Sequence, residues 1–225
     1  MDCEKAVAEL PILQDFINFI NKQVGVFCDC ITSFNGNKVR VERQIHRYLR
    51  PTSKTYKNGQ PTIMWSSYED PKQPDILHHR TIRVDDFLQD NSENGFNEKQ
   101  ISWAIIVFIF SHWDEIIRPQ IAKIRKVPVN DVKVPEFGDL RIIRNAIIHN
   151  QGFLSSVDFE KITTMKDLLE QNQEIRFSHE KMHQFFIKLK QGIARLGLEY
   201  TGELPGAPNL EDISGIAIQM NSRFK

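Results

Sequence analysis

From Ile101 to Phe110 the chain reads Ile-Ser-Trp-Ala-Ile-Ile-Val-Phe-Ile-Phe, which is apolar on almost every side of a helix turning by about 100° per residue. A helix of that kind cannot face water all round, so the stretch Glu98 to Lys126 is expected to be surrounded by other helices in a core. It is too short to cross a membrane, and Asp114 and Glu115 close the apolar run. The elements to surround it are present. Leu10, Leu13, Ile17, Ile20, Val24 and Phe27 recur at spacings of three and four, which predicts an amphipathic helix over Cys3 to Ser33 that Asn35-Gly36 stops. Val41, Ile45 and Leu49 predict a second helix over Lys38 to Leu49, with Arg40, Arg43, Arg47 and His46 on its exposed side and Arg50-Pro51 as its end. Phe137 to Asn150 reads as a helix stopped by Gly152, and Phe159 to Leu169 as a shorter helical piece. Ser178 caps a helix to Leu196, striped by Met182, Phe185, Phe186, Leu189 and Ile193. Pro119 is expected to kink the central helix.

Between Pro51 and Asn97 the helical period disappears. Asn58-Gly59, Pro61, Pro71, Pro74 and Asn94-Gly95 punctuate β-prone pieces such as Thr62 to Trp65 and Thr81 to Val84. The expectation is an all-α bundle of five to six helices with a loop or β-hairpin insertion between the second and third. One domain covers residues 1–196, with 51–97 inserted and 197–225 as a tail rich in Gly and Pro. A length of 225 residues suits one generous domain.

Twenty-nine basic and 29 acidic residues cancel, which argues against a histone-like or acidic tail whose function rests on one dominant sign. The cancellation hides blocks. Asn37 to Lys57 holds seven cations against Glu42, and Asn58 to Glu98 holds eight acids against three cations. Three cysteines, two of them on one expected helix, make a disulfide framework implausible. The first thirty residues carry Glu4, Glu9, Asp15 and Asp29 and lack the pattern of a signal peptide. The expected setting is cytoplasmic, with no membrane. A Gly-rich phosphate loop, a dinucleotide fingerprint and a Gly-x-Ser-x-Gly elbow are absent from the sequence.

Two constellations carry chemistry. His179-Glu180-Lys181-Met182-His183 spells the His-Glu-x-x-His pattern of a zinc hydrolase. Against it, Ser178 as N-cap puts His179 in the first turn, Lys181 sets a cation between the ligands, and the third ligand would have to be Glu199 or Glu203. The second is Arg141-Ile142-Ile143-Arg144-Asn145-Ala146-Ile147-Ile148-His149-Asn150-Gln151-Gly152. On a helix, Leu140, Ile143 and Ile147 share the core face, while Arg144, Arg141, Asn145 and His149 fall in one polar arc that also holds Ile148. Bulky isoleucines among Arg, Asn and His suit a partner surface containing a polar site. A histidine there can exchange a proton near neutral pH, and an arginine offers a fork of donors for phosphate. Together these suffice for RNA cleavage in which the 2′-OH attacks the adjacent phosphate, with no metal and no cofactor.

Arg144 to His149 resembles the Arg-x4–6-His motif of the HEPN superfamily, with a polar residue directly after the Arg. Leu-x-x-x-Arg-Asn-x-x-x-His-Asn-x-Gly near a helix end is similar to the bacterial branch of that superfamily. So are a preceding core helix ending in His112-Trp113-Asp114 and Arg118-Pro119, and a capped helix some thirty residues later. The resemblance covers Glu98 to Leu196. It implies an all-α bundle that dimerises so that two motifs face each other, forming a metal-independent endoribonuclease. Such proteins commonly act as toxins or anti-phage effectors, often with a nucleotidyltransferase antitoxin. It implies Arg144 on the scissile phosphate, His149 as the acid-base residue and Asn145 as its polar support; some members are non-catalytic binding modules of RNA or protein. Arg141, with the basic stripe Arg40, Arg43 and Arg47, is the candidate track for the RNA backbone.

Overall fold

In the computed structural model, which describes residues 3–48, 61–70 and 72–201, helices dominate and two small antiparallel sheets complete the chain. Helix α1 spans Cys3–Tyr48 without a break. It therefore merges the two helices expected on either side of Asn35-Gly36, and the insertion follows the first helix. Asn35 and Gly36 are exposed, and neither takes the left-handed backbone that would end a helix. A helical glycine costs about 1 kcal/mol. Packing on both sides offsets it, through the bundle core before Gly36 and through Val41 and Ile45 after it. Leu49 and Arg50-Pro51 lie outside the described residues.

The insertion is a hairpin followed by a short helix. Strands β1 (Thr62–Asp70) and β2 (Gln73–Arg83) pair antiparallel with Ile63 opposite Ile82, and α2 (Val84–Asp90) follows at once. Val84 and Phe87 of α2 bury against Val41, with Ile45, Ile63, Ile82 and Leu88 around them. This is a second core, separate from that of the bundle, and it braces the far end of α1.

Helix α3 (Phe96–His112) passes through a π-turn, Trp113–Ile117, into α4 (Arg118–Arg125), where Lys126 at φ 57° ends the run. The irregularity precedes Pro119, whose ring clashes with the carbonyl four residues back in a regular helix. Helix α5 (Pro135–His149) leads to strand β3 (Phe153–Leu154), which pairs with β4 (Gln173–Glu174) across α6 (Ser156–Lys161) and a 3-10 turn, Lys166–Leu168. The continuous piece expected from Phe159 to Leu169 is thus two shorter ones. Helix α7 (His179–Thr201) starts where expected, with the Ser178 hydroxyl accepting from the Lys181 amide at 3.3 Å, but it continues past Leu196 through the buried Gly197. The tail therefore begins later than residue 197, and residues 202–225 lie outside the described ones.

The bundle core joins Leu13, Phe16, Ile20 and Phe27 of α1 to Ile106 and Ile109 of α3, Leu140 and Ile143 of α5, and Phe185 and Leu189 of α7. Phe16 meets Trp113 and Phe137, Phe19 meets Phe108 and His112, and Phe27 meets His179. Hence α3 runs antiparallel to α1. Burial among these rings pushes the His112 imidazole below its ordinary value.

Two buried carboxylates knit the connections. Glu9, fully buried, takes both forks of Arg125 at 2.9 Å. Asp139 of α5 accepts the amides of Thr163, Thr164 and Met165 at 3.0, 2.6 and 3.1 Å and both threonine hydroxyls. Asp139→Ala leaves those amides, of which only that of Met165 lies in a buried residue, without their acceptor and is expected to cost about 2–3 kcal/mol. Chemical denaturation reads the loss, and faster hydrogen exchange at residues 163–165 reads its place.

Candidate functional site

Pro135 occupies the first turn of α5, where its missing N–H costs nothing. The helix buries Leu140, Ile143 and Ala146 completely or nearly so, and Ile147 by half. The polar arc falls where the spacing predicts. Arg144 and Asn145 are half-buried, while Arg141, His149 and Ile148, 45 % exposed, face outward.

Within that arc the Arg144 guanidinium lies over the Phe110 ring of α3, 5.8 Å from its centroid. Its Nη1 donates to Asn145 Oδ1 at 3.0 Å, and its buried Nε–H meets no acceptor. Asn145 thus props Arg144. Nη2 and the Asn145 amide nitrogen remain as donors for an anion. The sealed Nε–H costs roughly 1–3 kcal/mol unpaired, and an incoming phosphate oxygen meets Nη2 rather than Nε.

The end of α5 is built tightly. Gln151 (φ 52°) and Gly152 (φ 80°) turn the chain left-handed, and the Gly152 amide returns to the Ala146 carbonyl at 2.9 Å. Gly152 lies against the Trp103 ring of α3, where a Cβ would overlap the indole. Trp103 is itself held by its Nε1–H on the Ile175 carbonyl at 3.0 Å, with Lys99 Nζ 4.9 Å above its ring. Lys99 also pairs with Glu174 at 2.6 Å; burial opposes ionisation of Glu174, but Lys99 and Arg176 hold its carboxyl below the ordinary value. The last turn, with His149, is so fixed on α3.

The central helix is not enclosed as expected. Phe96 and Phe108 are 52 % and 54 % exposed, Ala104 is exposed and Val107 half-buried. Trp103 and Phe110 form the edge of this open face toward α5, and Phe108, packed on Phe19, the edge toward α1. An apolar face therefore adjoins Arg144 directly.

The arginines divide into two sets. Arg83, Arg118, Arg125, Arg176 and Arg195 each pair with a carboxylate: Asp85, Asp114, Glu9, Glu174 and Glu136 in turn. Among the described residues, Arg40, Arg43, Arg47, Arg141 and Arg144 pair with none, Arg40 reaching only Asn37 Oδ1 at 3.3 Å. These are the five that the sequence singles out.

No family model, curated protein or solved structure matches this chain. Its geometry alone weighs the candidates. Arg141 lines a groove of about 350 Å³ with Asp114, Arg118, Lys133 and Phe110, and Phe110 also underlies Arg144. The stripe Arg40, Arg43 and Arg47 lines a different concavity on the extension of α1. The structure thus groups Arg141 with Arg144, Asn145 and His149, and sets the stripe apart from them. The hairpin and α2 of the acidic insertion pack on that α1 extension as well.

In the other constellation, His179 stacks on Phe27 at 5.5 Å while His183 is exposed. The side chains of Glu199 and Glu203 lie outside the described residues. Among those described, no group of three or more His, Cys, Asp or Glu is placed to hold a metal ion, and no helix is long and apolar enough to cross a membrane.

Proposed function

We propose that this protein is a metal-independent endoribonuclease of the HEPN type, working as a homodimer with the α5 motif at its centre. The observation that carries the proposal is Arg144: a half-buried guanidinium with no carboxylate partner, propped by Asn145 and Phe110, whose buried Nε–H lacks an acceptor. Arg144 and the Asn145 amide nitrogen take the non-bridging oxygens of the scissile phosphate. His149, exposed one turn on, accepts the 2′-OH proton as that oxygen attacks phosphorus. The P–O5′ bond breaks, the proton that His149 took up passes to the departing oxygen, and the products are a 2′,3′-cyclic phosphate and a 5′-OH end. DNA lacks the attacking hydroxyl and is spared. Arg141 serves the neighbouring phosphate.

The open apolar face of α3 supports the dimer, because a second copy laid on it would cover Phe96, Ala104 and Phe108 and bring its own Arg144 close. Phe108→Glu is expected to convert dimer to monomer in analytical ultracentrifugation and to take RNA cleavage with it. A monomer that still cleaves at full rate excludes the shared site.

The decisive experiment is incubation of purified protein with single-stranded RNA in EDTA. Cleavage leaving 2′,3′-cyclic phosphate ends supports the proposal, and cleavage only with added divalent metal overturns it. Within that reading the role is a toxin or anti-phage effector, with a nucleotidyltransferase-type antitoxin as a partner class. A second reading, a non-catalytic module that binds RNA or protein, draws on His149, which no neighbouring side chain among the described residues holds in place. It expects RNA association without cleavage. The zinc hydrolase alternative draws nothing from the placement of His179 and His183.

A further inference from the structure

The start of α3 is a second place where buried polar groups meet a cavity. About 240 Å³ opens where α1, the turn from α2 to α3, the first turn of α3 and the first residue of α7 come together. Ile31 and Phe34 of α1, both half-buried, form its apolar wall. Asn91 and Glu98, 4 % and 3 % exposed, form its floor. Asn35 and Glu93, both exposed, stand at its rim, and His179 closes one side while stacking on Phe27. Glu98 lies three turns of α3, about 18 Å, from the Phe110 that underlies Arg144, so this cavity is distinct from the α5 site.

Hydrogen bonds fix its walls. Ser92 donates its amide and its hydroxyl to the Gln89 carbonyl at 3.1 and 2.7 Å, and the Gly95 amide returns to the Ser92 carbonyl at 3.0 Å. A Cβ on Gly95 would overlap the carbonyls of Gln89, Asp90 and Ser92, so the turn closes as tightly as only glycine allows. Glu98 reaches back from the first turn of α3, and its Oε2 accepts the Asn94 amide at 2.6 Å. That bond holds the carboxylate in place. Asn91 donates its side-chain nitrogen to the Phe87 carbonyl at 2.8 Å, which decides which end of the amide is oxygen. Its Oδ1 accepts no hydrogen bond among the described residues, although the residue is almost wholly buried. An acceptor so enclosed calls for a donor.

We infer that this cavity binds a small organic ammonium ion with an apolar body. The lining sets the charge. Glu93, Glu98 and the Asn91 oxygen are acceptors, and among the described residues no lysine or arginine lines the cavity. The Glu98 carboxylate is screened from water, where an opposite charge is held more strongly than at a surface. An ammonium head is compact and brings three donors for these acceptors. Behind it, Ile31 takes the apolar body and the Phe34 ring suits an aromatic one. An anion of the same shape meets two carboxylates and is excluded. The walls are set in advance by the turn, so little ordering opposes binding. This site is independent of RNA cleavage at α5.

Isothermal titration of the full chain tests it with three probes of one shape: phenethylamine, phenethyl alcohol and hydrocinnamate. At about pH 8 an alkylammonium stays charged while an imidazole of ordinary value is neutral. Phenethylamine is expected to bind with a Kd of about 0.1–1 mM, as suits about nine heavy atoms. The alcohol should bind about tenfold more weakly, and hydrocinnamate more weakly still. Glu98→Gln keeps the shape and an oxygen for the Asn94 amide; it should weaken the amine about tenfold and leave the alcohol within about twofold. Asn35→Trp, at an exposed position of α1, should obstruct the rim and weaken both by about tenfold or more. Equal binding of amine and alcohol overturns the inference, as does amine binding that neither substitution alters, or none up to about 10 mM. If melting shows that Glu98→Gln does not fold, the ratio of amine to alcohol and the Asn35→Trp variant decide between the same outcomes.

Discussion

Arg144→Ala and His149→Ala are each expected to abolish RNA cleavage while leaving the fold as it is. Removal of a general acid-base group costs about 10²–10⁴ in rate, and removal of a preorganised donor to the developing charge about 10²–10³. Either loss takes a slow nuclease below detection. The fold should tolerate both. His149 is exposed, and the Arg144 guanidinium makes one side-chain hydrogen bond and one ring contact, while Leu140, Ile143 and Ala146 anchor the helix. Unaltered circular dichroism and melting temperature with cleavage gone would assign the residues to chemistry. Cleavage at the parental rate in both variants removes the site from α5.

Asn145→Ala removes both the prop of Arg144 and one donor to the phosphate. Its Oδ1 holds Arg144, so its loss frees the guanidinium to swing on Phe110 and is expected to cut the rate about tenfold, less than either direct loss, mainly through weaker substrate binding. This contact is invisible to helical-wheel reasoning, because residues i and i+1 do not face each other on a helix. Only the placement of Phe110, which comes from another helix, turns Arg144 back over its neighbour.

The same division runs through the whole molecule. Features set by short-range rules could be read from the residues: the core face of α5, the Ser178 cap, the hairpin after residue 61 and the stop after His149. Features set by distant partners could not. Asn35-Gly36 obeys the local rule for a helix end and is overruled by the hairpin core that grips Val41. The acid that each paired arginine meets could not be read, since Glu9 and Arg125 stand 116 positions apart and Glu136 and Arg195 stand 59 apart. The all-round apolarity of α3 was plain. That one side of it stays open beside the motif depends on how many helices one chain supplies.

Gly152→Ala is expected to be strongly destabilising. At φ 80° an alanine pays about 1–2 kcal/mol for its Cβ. That Cβ also meets the Trp103 ring, and overpacking of this kind costs about 1–3 kcal/mol. The sum, about 2–5 kcal/mol, corresponds to a fall in melting temperature of roughly 4–20 °C for a chain of this size. Trp103 cannot yield cheaply, because its indole N–H holds the Ile175 carbonyl and its ring lies beneath Lys99. Gly138→Ala is the control. It is in the same helix, a Cβ there meets nothing within 4 Å, and the exchange should stabilise by about 0.5–1 kcal/mol. Combining Gly152→Ala with Trp103→Leu should recover the steric part and leave the conformational part, a coupling that a double-mutant cycle measures. If Gly152→Ala melts with the parent, the contact between α3 and the end of α5 is not what fixes His149. If it melts early but cleaves normally below its transition, the position of His149 tolerates more movement than a preorganised acid-base residue should.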